Sequence, residues 1–236
     1  MVWKGIDVSY AQGRIDWGKV ARDPQVEFAM IRATASYPHD GQRGIDLQWE
    51  RNIREVEKTA LPVGAYHYSY ALNREQARRE AEHFLNVIQG YRFAYPVAFD
   101  FENVTQSRLS ARDMGDICSE WLEYVENAGY YVMLYSTASW LKYKLTDPRL
   151  RRYDKWVAHV EVQQPMVEGD IWQYSWKGRV SGISVDTDLD YSYKDYPAII
   201  REKGLNGWGI PEPDYKFLYE QAQGKLDRIA QILAEE

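Results

Sequence analysis

The chain has 236 residues, 45% of them hydrophobic, enough for one large α/β domain with a buried core and a short appendage. Its formal net charge of −6, without a Lys or Arg run able to follow a phosphate backbone, argues against nucleic acid as a partner. No apolar stretch approaches the roughly 18 residues of a membrane span, and the N-terminus lacks a basic head before an apolar segment, so neither a membrane partner nor a Sec-type signal is expected.

The predicted elements alternate strand and helix. Residues 2–9 read as a strand ending at Asp7, and Asp16 caps a helix through Val20. The second strand covers 28–32, a helix lies around 46–59, and the third strand covers 63–68. Asn73, with Gln76 three residues on, starts a helix through Ile88 in the manner of a capping box. The run Tyr95-Pro96-Val97-Ala98-Phe99-Asp100-Phe101-Glu102 reads as a strand buried on both sides, its C-terminal tip carrying two acids at i, i+2 and hence on one face. Ser110 caps a helix that closes near Gly129, and 131–135 is a fifth strand. Three more strands, 155–159, 171–174 and 182–190, follow through loops or short turns.

Eight strands, with helices concentrated in the first half, predict an irregular TIM-like β/α barrel over residues 1–200. Gly204, Gly207, Gly209, Pro211 and Pro213 mark 201–214 as a linker. Leu218, Ala222, Leu226, Ile229 and Leu233 then follow helical spacing, so 215–236 is expected to form an amphipathic helix that docks on the barrel or mediates self-association.

Two acids ending a buried strand are costly unless they are used or paired. Barrel chemistry sits at the C-terminal ends of strands, and Asp7, Asp100, Glu102 and Asp188 all fall at predicted strand ends, which marks a four-acid site. Adjacent carboxylates disfavour each other's ionisation, so one keeps its proton near neutral pH. Glycoside hydrolysis requires that division of labour, one acid protonating the leaving oxygen while another group stabilises an oxocarbenium-like centre. Glu102, one methylene longer than Asp100, is assigned as the general acid. The competing explanation is a structural carboxylate pair bonded to nearby Arg or Tyr.

Other chemistries lack their signals. Asp186-x-Asp188-x-Asp190 opens like a calcium loop, but Tyr191 and Pro197 stand where Gly and Glu are needed. Glu80 and His83 have Glu-x-x-His spacing without a second such pair. His39, His67, His83 and His159 show no zinc-protease spacing, and no nucleophile elbow is present; His67 and His159, near strand ends, either line a pocket or are structural. The single Cys118 precludes an intrachain disulfide, and no metal or cofactor is expected. Nine Trp and nineteen Tyr exceed the needs of a core this size and suit sugar faces or interfaces.

Gly5-Ile6-Asp7-Val8-Ser9, the Asp100-Phe101-Glu102 triplet, Trp172-Gln173-Tyr174-Ser175 and Asp188-Leu189-Asp190-Tyr191 together resemble the family 25 glycoside hydrolases, muramidase-type lysozymes of phage endolysins and bacterial autolysins. The resemblance spans residues 1–197. It implies a barrel enzyme that hydrolyses the β-1,4 bond between N-acetylmuramic acid and N-acetylglucosamine in peptidoglycan glycan strands, with retention. By the same resemblance Glu102 matches the acid, and Asp100 matches either the nucleophile or the group that orients the 2-acetamido substituent. Asp7 and Asp188 match residues that hold substrate and tune the pair, and Tyr66, Tyr135, Trp172 and Tyr174 would line the cleft. Where the family commonly shows Lys-Ala-Thr-Glu-Gly, this chain has Arg32-Ala33-Thr34-Ala35-Ser36, without the acid and the glycine. The expected setting is a phage endolysin made in the host cytoplasm and released to the wall by a holin-type exit, or an enzyme exported by a non-Sec route. The alternative is a catalytically silent barrel that binds wall glycan in an assembly such as a phage tail.

Overall fold

The computed structural model describes residues 1–36 and 44–209, in which eight strands close into a barrel in chain order. They are β1 (Trp3–Val8), β2 (Phe28–Ala35), β3 (Val63–Tyr68), β4 (Val97–Asp100), β5 (Val132–Thr137), β6 (Asp154–Ala158), β7 (Ile171–Gly178) and β8 (Thr187–Ser192). From β1 to β7 each strand runs parallel to the next, whereas β8 is antiparallel to both β7 and β1. The helices among the described residues are α1 (Trp17–Val20), α2 (Trp49–Val56), α3 (Arg74–Ile88), α4 (Ala111–Asn127), α5 (Ala138–Tyr143) and α6 (Tyr196–Glu202). The two long ones, α3 and α4, follow β3 and β4, in the first half of the strand order. Asn73 caps α3 by accepting from the Gln76 amide at 3.0 Å, and Ser110 caps α4 by accepting from the Asp113 amide at 3.1 Å.

Period-2 alternation divides the apolar side chains into two cores. On β4, Val97 and Phe99 point outward and pack with Trp121 and Ile117 of α4, while Ala98 points inward. The barrel interior is filled by Phe28, Met30, Tyr66, Tyr95, Met133, Tyr135 and Trp156. The lower lumen is tight. Phe28 stacks on Tyr95 at 4.2 Å between ring centroids, and a Cβ on its β1 partner Gly5 would run into the Phe28 ring. Glycine leaves the room that this ring fills.

Several boundaries differ from the sequence expectation. The last strand begins at Thr187 rather than at 182, because Gly182 adopts φ +97 in a turn whose carbonyl accepts from the Asp16 amide. Short α5 and α6 carry too few residues for a helical period to register. Within the described part of the expected linker at 201–214, α6 runs to Glu202 and the chain stays packed on the barrel base through Trp208. Buried Asn206 explains this: it donates to the Tyr95 carbonyl at 2.8 Å and accepts from the Tyr131 amide at 2.6 Å, while the Trp208 indole donates to the Phe93 carbonyl at 3.0 Å. Residues 210–236, including the rest of the linker and the expected C-terminal helix, lie outside the described residues, as does His39.

Placing a methyl group against Phe28 should strain the lumen. Gly5→Ala is expected to lower unfolding stability by about 1–3 kcal/mol in a urea titration, with the slope of the transition unchanged.

Candidate active site

The inward positions at the C-terminal mouth of the barrel are occupied by acids. Asp7 ends the inward row of β1, Asp100 is the last residue of β4, and Glu102 stands two residues further on. Asp188 joins them by a route different from the expected one. Because β8 runs downward, its first residues lie at the mouth, and Asp188 pairs directly with Asp7. The same reversal places Asp190 one step deeper, opposite Gly5 and fully buried.

One amide organises this group. Gln173 of β7 donates from Nε2 to Asp7 Oδ2 at 2.7 Å, and its Oε1 accepts from the Tyr135 hydroxyl and from the Trp176 indole, each at 3.0 Å. Beneath it, the Trp156 indole donates to Asp190 Oδ1 at 2.7 Å, with Tyr66 and Tyr135 edge-on to the Trp156 ring at 5.8 and 4.6 Å. Arg32 of β2 is the cation whose charge acts on Asp100; it donates to Asp46 Oδ2 at 2.8 Å and lies over the Tyr10 ring. A cavity of about 830 Å³ opens beside it, lined by Tyr10, Arg32, Asp46, Leu47, Arg51 and Arg54 among others.

Burial is the first cause of every carboxyl shift at this mouth. Asp7 is raised well above its ordinary range by burial and then by Asp190 and Asp188, against which the Gln173 hydrogen bond works. Asp100 is raised by burial and by Glu102 and held back by Arg32. Burial followed by the charge of Asp188 lifts Glu102 to about 7, and a hydrogen bond with Tyr135 opposes this. Asp188 rises to about 6 through burial. Asp190 rises to about 8, again mainly by burial, with the Trp156 hydrogen bond pulling the other way. Among the described residues, Asp100 Oδ1 and Asp190 Oδ2 are buried without a hydrogen-bond partner. Carboxyls differing in proton affinity, one oxygen left open on Asp100 and a polar bridge in Gln173 can support acid–base chemistry on a bound oxygen.

The structure brings Asp7, Asp100, Glu102, Asp188, Tyr66 and Tyr135 together, but Trp172 and Tyr174 do not join them. Gln173 faces the lumen, so Trp172, its neighbour, must face outward, where it pairs with Tyr191 and donates to the His159 carbonyl at 2.8 Å. Tyr174 sits at a register shift and stacks on Tyr191 at 4.2 Å. These rings pack against one another on the outer wall. The same bulge re-phases β7 so that exposed Trp176 returns to the mouth and reaches Gln173. Tyr68, two residues beyond Tyr66 on the same face, pairs with Asp100 and accepts from Asn103 Nδ2 at 3.2 Å; burial pushes its hydroxyl up to about 12. His67 points out of the barrel, stacked near Phe99, with Nδ1 2.6 Å from Thr34 Oγ1 and Nε2 3.0 Å from Glu80 Oε2. His159 accepts from the Met166 amide in its loop. Sequence reasoning missed Asp190, Gln173, Arg32, Tyr68 and Trp176 as site residues; period 2 from Asp188 and Tyr66 would have found Asp190 and Tyr68.

Comparison with known proteins places this geometry in a family. Residues 6–183 match the family described as Glycosyl hydrolases family 25. Uncharacterized protein YegX of Escherichia coli K12 is 33% identical over 195 residues, which cover 79% of this chain and 68% of that protein. The autolytic lysozyme of Clostridium acetobutylicum is 30% identical over 189 residues, 79% of this chain and 55% of its own length. Among solved structures, the modular autolysin LytC of Streptococcus pneumoniae, in complex with a synthetic peptidoglycan ligand, superposes with a TM-score of 0.72 at 27% identity. That match covers 81% of this chain, which spans about half (47%) of LytC.

Asp190 is protonated in the fold at pH values where the unfolded chain has already released the proton. An ordinary value of 3.8 against about 8 in the fold means the native state binds more protons across that interval, so its contribution to stability falls as pH rises from about 4 to about 8. Asp190→Asn keeps the acceptor for Trp156 and removes the titration. Thermal unfolding should show the variant gaining on wild type with rising pH, by more at pH 8 than at pH 5.

Proposed function

Because the chain belongs to the glycosyl hydrolases of family 25, we propose that it is a lysozyme-type N-acetylmuramidase that cuts the β-1,4 bond between N-acetylmuramic acid and N-acetylglucosamine in peptidoglycan, with retention. The observation that carries this reading is the asymmetry of the two acids at the tip of β4. Both are lifted by burial and by a neighbouring carboxylate, Asp100 by Glu102 and Glu102 by Asp188, but only Asp100 has a guanidinium, that of Arg32, holding it back. In the proposed resting state Glu102 carries the proton and Asp100, the acid whose charged form Arg32 favours, carries the charge. In this mechanism Glu102 gives its proton to the departing glycosidic oxygen while Asp100 supports the anomeric carbon, either by bonding to it or by holding the 2-acetamido group that does. Water then enters at that carbon, loses a proton to the Glu102 carboxylate, and restores the starting state.

Asp7, Asp188 and Gln173 hold the substrate, and burial together with the charge of Asp188 maintains the Glu102 proton near neutral pH. Exposed Trp176, fixed by its bond to Gln173, offers an apolar ring face at the rim, the geometry that sugar rings pack against. Relatives bearing the names autolytic lysozyme and Lysozyme M1 support the same assignment.

Purified bacterial walls incubated with wild type should release muramic-acid reducing ends. Glu102→Gln should slow that release about a hundredfold or more. The wild-type rate should also fall as pH rises through about 7, where Glu102 loses its proton. Wild-type binding to walls without release would indicate the glycan-binding barrel instead, and free amino groups in place of reducing ends would indicate an amidase or peptidase.

A further inference from the structure

Glu102 stands just past the last sheet hydrogen bond of its strand, the one from the Phe101 amide to the Tyr135 carbonyl at 3.0 Å. Beyond that point the segment carrying the acid is held by side chains. We propose that Gln106 is the positioning residue that fixes Glu102, by clamping the loop after β4 to the loop after β3, with buried Glu80 as the anchor of the clamp.

Gln106 is fully buried in a 3-10 turn over Val104–Arg108. Its Oε1 accepts from the amide of Asn103, the residue next to Glu102, at 3.0 Å. Its Nε2 donates to the carbonyls of Ala71 at 3.1 Å and Ser69 at 3.3 Å, so both ends of the amide are used, each on a different loop. The β3 loop is itself tied to the site, since the Ser69 amide donates to the Asp100 carbonyl at 2.9 Å. Glu80 holds that loop from behind: Oε2 accepts from Ser69 Oγ at 2.7 Å and Oε1 from the Tyr70 amide at 3.0 Å, with His67 Nε2 3.0 Å from Oε2. A donor on each oxygen, the Ser69 hydroxyl on one and the Tyr70 amide on the other, suits a carboxylate and not an amide, which offers a single acceptor oxygen. On its far side the tip is held by Ser136 Oγ, which donates to the Phe101 carbonyl at 2.6 Å. A clamp acting on both sides of a two-residue step sets where the carboxyl sits and how much water reaches it.

The inference rests on the hydrolase reading for its kinetic consequence, but not for its structural one. Gln106→Met keeps the volume and removes both hydrogen-bonding ends; Glu80→Gln removes the anchor and serves if the first variant fails to fold. Tyr131→Phe, which loses a 2.8 Å bond to Asp154 at the barrel base, controls for general destabilisation. In full-length protein labelled at the Glu side-chain carboxyl, the 13C titration midpoint of Glu102 should move from about 7 toward 4.5 in Gln106→Met and in Glu80→Gln, and stay in place in Tyr131→Phe. On walls, kcat should fall about tenfold or more in the two clamp variants with KM within about twofold. A folded Gln106→Met or Glu80→Gln in which Glu102 titrates as in wild type, or a kcat loss matched by Tyr131→Phe at equal loss of melting temperature, would overturn the proposal. A wild type inactive on walls whose Glu102 midpoint still moves with the clamp would count against the hydrolase reading alone.

Discussion

Carboxylates withdrawn from water beside one another hold protons that each alone would release, and this condition governs the mouth of the barrel. Asp7, Asp100, Glu102, Asp188 and Asp190 lie on the inner wall, with the charge of Arg32 acting on Asp100. Differences among the acids then follow from small asymmetries: a cation near one, a like charge near another, a Gln173 amide on Asp7, a Trp156 indole on Asp190. Antiparallel β8 is the topological device behind the crowding. By running downward it delivers Asp188 at the rim and Asp190 a layer below on the face that opposes Asp7 and Gly5.

Such a site weakens the fold at neutral pH, and the remaining architecture offsets it. The lower lumen is closed by Phe28, Tyr95 and Met133, and the outer shell packs Phe99 and Phe101 against Trp121 and Trp140 at centroid separations of 4.8 and 5.9 Å. Burying rings of this size stabilises by several kcal/mol each, on the order of 2–5. On the outer face of β7 and β8, Trp172, Tyr174 and Tyr191 pack against one another. Part of the aromatic excess in the sequence therefore belongs to the wall of the barrel and part, through Tyr66, Tyr68, Tyr135 and Trp176, to its mouth.

The barrel was legible because most of its strands are apolar runs closed by turn residues, β8 (Thr187–Ser192) being the polar exception, and the tip at Asp100 and Glu102 because i, i+2 spacing in a strand has a single geometric meaning. Asp188 was found for an incomplete reason: its place at a strand end was expected, but the strand's direction was not, since an antiparallel closing strand leaves no mark in local sequence. The phase of β7 was illegible for a related cause. The resemblance implied a cleft role for Trp172 and Tyr174, and nothing in the local pattern shows that Gln173 takes the inward face or that the bulge between Gln173 and Ser175 returns Trp176 to the mouth. Arg32 and Gln106 act through contacts over long sequence separations, to Asp100 and to Ser69 and Ala71, which no periodicity encodes.

The central claim is a location of one proton. Neutron diffraction from deuterated crystals grown near pH 6 observes it without substrate or substitution. The account predicts deuterium on the Glu102 carboxyl and none on Asp100. Deuterium on Asp100 beside a bare Glu102 would contradict it.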